Sequence, residues 1–254
     1  MRRALLLASL VALAGCGSGG SEVSVPRAQP TIATVPGGAE GGGTAPGTSP
    51  TTTTTTPAPP ASAPRPPIVQ RRIPYGARRR ADMAAYSLRH YGVREWRLSP
   101  RAIVEHYTGN GSFSATWNTF APNVRDPELH ELPGTCAHFV VATSGTIYQL
   151  VDTAIRCRHA FGVNHAAIGI EHVGYSDGQV MGNSRQLAAS LALTRWLRCR
   201  YGIAVRDVIG HAETLASPWY VEIHPERHGR STHGDMARPA MTRYRARLTR
   251  LPCA

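Results

Sequence analysis

Residues 166–209 read AAIGIEHVGYSDGQVMGNSRQLAASLALTRWLRCRYGIAVRDVI, and the fold class is decided in this stretch. Ala166 to His172 is a run of small and branched residues that reads as a strand. From Asn183 to Arg200 the apolar Leu187, Leu191, Leu193 and Leu197 recur at helical spacings, with Asn183 or Ser184 as cap and Gly202 as terminator. Val205 to Ile209 then reads as a second, short strand. Strand, helix and strand in succession mark an α/β fold.

Moving upstream, Ala137 to Thr143 and Thr146 to Val151 flank Ser144-Gly145 and predict a β-hairpin. Before them, Ile103 to Tyr107 has strand-like alternation and runs into the loop Gly109-Asn110-Gly111. A helical stretch with Met83, Tyr86, Leu88 and Tyr91 stops at Gly92, and the preceding Arg71, Arg72, Arg78, Arg79 and Arg80 read mostly as a solvated face. Downstream, Met241, Tyr244, Leu248 and Leu251 mark one face of a closing helix. The expected architecture is one α/β domain over 68–254, a central mixed β-sheet flanked by helices.

The first quarter of the chain cannot pack a core. The opening MRRALLLASLVALAGC has two arginines, an apolar run from Ala4 to Ala14 and small residues before Cys16, the plan of a secretory signal over 1–15. That run is too short to span a bilayer comfortably. Leu13-Ala14-Gly15-Cys16 resembles the bacterial lipobox, which implies lipidation of Cys16 and a membrane anchor facing the periplasm or cell wall. Residues 17–67 are rich in Gly, Ser, Thr, Ala and Pro and bury too little apolar surface to offset ordering entropy. They read as a tether with an end-to-end distance of roughly 40 Å.

Setting Cys16 aside leaves Cys136, Cys157, Cys199 and Cys253, an even number suited to an oxidising compartment. Each of the pairs Cys136 with Cys157 and Cys199 with Cys253 brackets one local unit, so these two disulfides are expected. A cysteine zinc cluster is disfavoured because no C-x-x-C spacing occurs. The net charge of +12, from 28 Lys+Arg against 16 Asp+Glu, suits anionic wall polymers or lipid headgroups in an exported protein. No nucleic-acid partner is expected, and the chain is expected to be a monomer.

Chemistry concentrates where strands run out into loops. His106 ends the strand from Ile103, Glu171 lies near the end of Ile168-Gly169-Ile170, and His211 follows Val208-Ile209-Gly210. In an open α/β sheet such strand ends converge on the ligand crevice. Catalytic zinc needs about three protein ligands and keeps one position open. His106 and His211 supply two, and the loop Ser231-Thr232-His233-Gly234-Asp235 offers the third through His233 or Asp235. His90, His130, His224 and His228 lack this context and read as surface or packing residues.

Five segments occur in order: IVEHYTG (103–109), CAHFVVATSGTIYQLV (136–151), RHAFGVNHAAIGIEHVGYSD (158–177), VIGHAE (208–213) and STHGDM (231–236). With them, residues from about Arg79 to Leu251 resemble the type 2 N-acetylmuramoyl-L-alanine amidases, a family akin to phage amidases and peptidoglycan-recognition proteins. The resemblance implies that one zinc ion is bound by His106 and His211, that Glu171 is catalytic, and that the substrate is peptidoglycan or muropeptides. The bond cut would be the amide between N-acetylmuramic acid and L-alanine. A non-catalytic muropeptide-binding module of the same fold is the alternative.

The final motif departs from the family's usual Lys-x-Asp or cysteine form. The reading preferred here makes Asp235 the third ligand, with His233 offsetting charge in the transition state as the lysine would. If His233 were the ligand, Ser231 would take the assisting place, with Arg230 supplying charge. His138, His159 and Asn164 match family positions around the cleft and imply contact with substrate or support of the ligands. The spacing after His211 is longer than usual, so Leu215 to Arg230 is expected to form a rim loop.

Overall fold

The computed structural model of the chain describes residues 62–229 and 233–253. The signal segment, Cys16, Arg230 and Ser231 fall outside the described residues. So do positions 17–61 of the expected tether. Its last residues are described, and Arg65 lies over the Trp196 ring at 5.5 Å.

Six strands form one mixed sheet: β1 (Val69–Gln70), β2 (Ala102–Tyr107), β3 (Phe139–Val141), β4 (Ile147–Gln149), β5 (Ala167–His172) and β6 (Val208–Gly210). Their order is β1-β4-β3-β5-β2-β6, with β3 and β4 antiparallel as the predicted hairpin and the other neighbours parallel. Among the described residues five α-helices flank the sheet: α1 (Ala77–Tyr91), α2 (Phe113–Phe120), α3 (Asp177–Gly182), α4 (Ser184–Tyr201) and α5 (Arg238–Thr249). No helix among the described residues is long and apolar enough to cross a membrane.

Period-two alternation divides β2 between two faces. Ile103, with Ile168 and Ile170 of β5, packs with Leu193 and Leu197 of α4 and Met241 and Tyr244 of α5. Burying each of these large apolar side chains contributes about 1.5–3 kcal/mol before ordering costs. On the opposite face Ala102, Val104 and Ala167 pack with Ala160, Val163 and Ile209. The small residues there let the loop from Arg158 to Ala166 lie close to the sheet.

The helix ends follow the sequence signals. Asn183 caps α4 by accepting from the Gln186 amide, and Gly92 and Gly202 close α1 and α4 at φ of 73° and 66°. Two expectations need correction. Of the strand expected over Val205 to Ile209, Val205–Asp207 forms a 3-10 turn and pairing begins only at Val208. Arg79, assigned to a solvated face, is buried and donates to the carbonyls of Phe120, Ala121, Gly134 and Thr135. With the Pro74 carbonyl, five main-chain acceptors replace the water that a guanidinium would otherwise keep.

The disulfides join Cys136 with Cys157 and Cys199 with Cys253. The segment from Leu215 packs onto the body of the domain, with Trp219 and Tyr220 against the small-residue face and the Ile223 amide bonded to His90 O. His90 itself is buried between carboxylates, Nδ1 at 2.7 Å from Glu222 and Nε2 at 2.8 Å from Glu131. Glu131 also accepts from Arg89 and Arg227, which ties this insertion to α1 and the 126–131 loop.

Candidate metal centre and catalytic cleft

Parallel pairing places His106 of β2 opposite Glu171 of β5, and β6 lies on the other side of β2 with His211 directly after it. The third side chain arrives from outside the sheet. Asp235 precedes α5, and its carbonyl accepts from the Ala212 amide at 3.0 Å. A Cβ on Gly210 would collide with the Met236 carbonyl, so only glycine before His211 lets this crossing strand approach. Asp177 fixes the same strand from below, its two carboxylate oxygens accepting from the amides of Met236 and Ala237 at 2.8 and 2.9 Å. Asp177 was given no role by the sequence reading, because a carboxylate that serves the start of a distant helix leaves no periodic signal.

Three donor atoms face one another. His106 Nδ1 is 3.0 Å from His211 Nδ1 and 3.2 Å from Asp235 Oδ2, and His211 Nδ1 is 3.1 Å from Asp235 Oδ1. All three residues are buried. Tetrahedral bonds of about 2.0–2.1 Å require donors about 3.3 Å apart, so the triangle has the size that zinc needs. Burial, and then the charge of His106, hold His211 down at about 4, so its imidazole is neutral and free to ligate near pH 7. Burial opposes ionisation of Asp235, yet hydrogen bonds from the two histidines outweigh it and keep the carboxyl well below the usual range.

His159 stands behind His106. Its Nδ1 is 3.1 Å from His106 Nε2, and its Nε2 is 3.2 Å from the Ala167 carbonyl. With Nε2–H donated to that carbonyl, His159 Nδ1 can accept from His106 Nε2–H, the tautomer that would present the His106 Nδ1 lone pair to an ion held in the triangle. The ring rests on Gly169, where a Cβ would come within 2.6 Å of it. Asn164 shapes the loop that carries it, its Oδ1 accepting from the amides of His159 and Ala160.

His138 is fully buried, with Nδ1 accepting from the Gly169 amide and Nε2–H donating to the Ile155 carbonyl. Both ring nitrogens of His138 and the Oδ1 of Asn164 bond the main chain, while Asn164 Nδ2 donates to the Tyr86 hydroxyl. Burial pushes His138 down to about 4, against 6.5 in the unfolded chain. As pH falls from 6.5 to 4 the unfolded chain takes up a proton that the folded chain refuses, so stability drops across that window. The expected loss by pH 4.5 is about 2–3 kcal/mol from this group. Urea denaturation at pH 7 and 4.5 should show a smaller difference in His138→Gln than in the parent, and equal differences would refute the assignment.

Glu171 is buried, and its Oε2 has no hydrogen-bond partner. Among the described residues no arginine forms an ion pair with this carboxylate. Burial pushes its carboxyl up to about 7, against the opposing charge of His106. A carboxyl that exchanges its proton near neutrality is suited to general acid–base work. His233 is exposed and stacks on His211 with ring centroids 4.2 Å apart. Its Nδ1 is 3.9 Å from Asp235 Oδ1 and its Nε2 is 3.2 Å from Glu128, so it flanks the triangle without joining it.

Comparison with curated proteins found no match. Among solved structures, an endolysin N-acetylmuramoyl-L-alanine amidase from Clostridium intestinale aligns at 19% identity over 74% of this chain and 98% of its own, TM-score 0.47. A mutant endolysin from Bacillus subtilis aligns at 21% identity over 57% and 83%, TM-score 0.38. A selenomethionine derivative of AmpD aligns at 21% over 73% and 94%, TM-score 0.44. The weight rests instead on sequence. The family model described as N-acetylmuramoyl-L-alanine amidase matches residues 96–228, just over half of the chain and a span that holds His106, Glu171 and His211. By that match the chain belongs to the N-acetylmuramoyl-L-alanine amidase family.

Proposed function

We propose that the protein is a zinc-dependent peptidoglycan hydrolase that cuts the amide bond between N-acetylmuramic acid and the L-alanine of the stem peptide. The triangle of His106, His211 and Asp235 carries this reading, because three buried donors at zinc-compatible spacing stand beside a carboxyl poised near neutrality. Zinc held there would supply Lewis acidity, polarising the lactyl carbonyl and easing loss of a proton from the attacking water.

The chain's own residues do the rest. Glu171 accepts the proton of the water as its oxygen bonds to the carbonyl carbon, and it returns a proton to the alanine nitrogen as the C–N bond breaks. His233, which stacks on His211 and reaches into solvent, offsets negative charge on the carbonyl oxygen. Asp177 and Gly210 keep Asp235 in register. The substrate is peptidoglycan or its fragments, and Cys16 would anchor the chain to a membrane of the cell envelope.

Mass spectrometry of digested muropeptides tests the reading. Intact glycan and stems with a free alanine amino terminus are expected, and a chelator should stop their release. Cleavage inside the stem peptide would instead make the chain a peptidase. His159 gives a second expectation. His159→Phe keeps a ring over Gly169 but removes the acceptor for His106 Nε2–H, and zinc affinity should fall about 10–100-fold. Competition with a colorimetric chelator measures this, and an unchanged affinity would remove His159 from the metal's support.

A further inference from the structure

The helices α4 and α5 contain four arginines each and no aspartate or glutamate. Among the described residues only Arg245 of the eight has an acidic partner, Glu213. The two helices end together. Ser190 and Thr194 both bond Tyr244, Arg195 donates to the Pro252 carbonyl, and Cys199 is joined to Cys253. Arg195, Arg200, Arg247 and Arg250 therefore gather at one pole of the domain, with Arg65 and Arg200 both over the Trp196 ring. A helix C-terminus carries only about half a negative charge, so two of them do not account for the arginines of this pole.

The pole lies away from the cleft. Asp235 and the Asp177 contacts stand at the start of α5, and its 12 residues carry the chain about 18 Å to the other end. A surface bound at the arginine pole would leave the cleft open on the far side.

We propose that this pole docks on an anionic phospholipid surface, with the catalytic cleft facing away from the membrane. Charge complementarity supplies the attraction, and Trp196 is an aromatic of the kind that suits a headgroup layer. The choice of phospholipid over an anionic wall polymer rests on the lipid-anchor reading of Cys16. Near the start of the described residues Arg65 meets Trp196, so the described chain enters the domain at this pole.

The test uses the full chain carrying Cys16→Ser, which removes any acyl contribution, with and without R200Q/R247Q/R250Q. The parent should co-sediment with phosphatidylglycerol-containing vesicles, not with pure phosphatidylcholine, and salt should release it. A cation near an anionic bilayer contributes about fivefold in affinity, so the triple variant should bind roughly a hundredfold more weakly. Its melting temperature and its cleavage of soluble muropeptides should not change. Equal binding of variant and parent, or tighter binding to polyglycerol phosphate than to vesicles at matched phosphate, would overturn the proposal. Labelled palmitate tests the unaltered chain separately: failure to label would remove the anchor, while salt-sensitive vesicle binding would still uphold the docking pole.

Discussion

Glu171→Gln is expected to slow release of stem peptides by about 10²–10⁴-fold, with zinc content and melting temperature close to the parent's. Glutamine keeps the shape of the side chain and loses its capacity to take a proton. The carboxyl is not one of the three donors that face one another, so its loss should leave the ion in place. It is also buried with an unpartnered Oε2, so no hydrogen-bond network at that oxygen is broken by the change. Steady-state kinetics on a defined muropeptide, with metal analysis of the same preparation, check the outcome. A variant that keeps more than a tenth of the parental rate would show that another group handles the proton.

Asp235→Ala and His233→Ala are expected to fail in different ways. Asp235 accepts from both His106 and His211, and its removal should abolish stoichiometric zinc and, with it, activity. His233→Ala should keep the ion and lose about 10²–10³-fold in kcat, the usual cost of removing one group that stabilises the developing oxyanion. His233→Lys should recover part of that loss by setting an ammonium beside the oxyanion. Loss of zinc from His233→Ala with retention in Asp235→Ala would reverse the two roles.

Local pattern and three-dimensional convergence were legible to different degrees. The strands over 103–107 and 166–172, the hairpin around Ser144-Gly145 and the helix from Asn183 to Gly202 follow from periodicity and caps, which act over a few residues. The triangle joins residues 105 and 129 positions apart, and only the strand-end placement of its histidines hinted at it. The short helices α2 and α3 escaped because eight and six residues give too few turns for an apolar stripe. Arg79 was misplaced for a related reason: a charged residue in a basic run reads as solvated unless the carbonyls that surround it, four of them 41 to 56 positions away, are known.

His159 and Gly169 show the same limit at the site itself. Neither has a sequence pattern that signals a ring packed on a glycine, yet that close approach sets which nitrogen of His106 faces Asp235. Gly210 before His211 is the companion case, a glycine whose need is visible only once the Met236 carbonyl crosses it.

On the function proposed for this chain, hydrolysis requires one ion held by His106, His211 and Asp235. Titrating zinc into chelator-stripped protein while following release of stem peptides tests it most directly. The rate should climb linearly to one equivalent and then stay level; full activity before any zinc is added would show that hydrolysis needs no such ion.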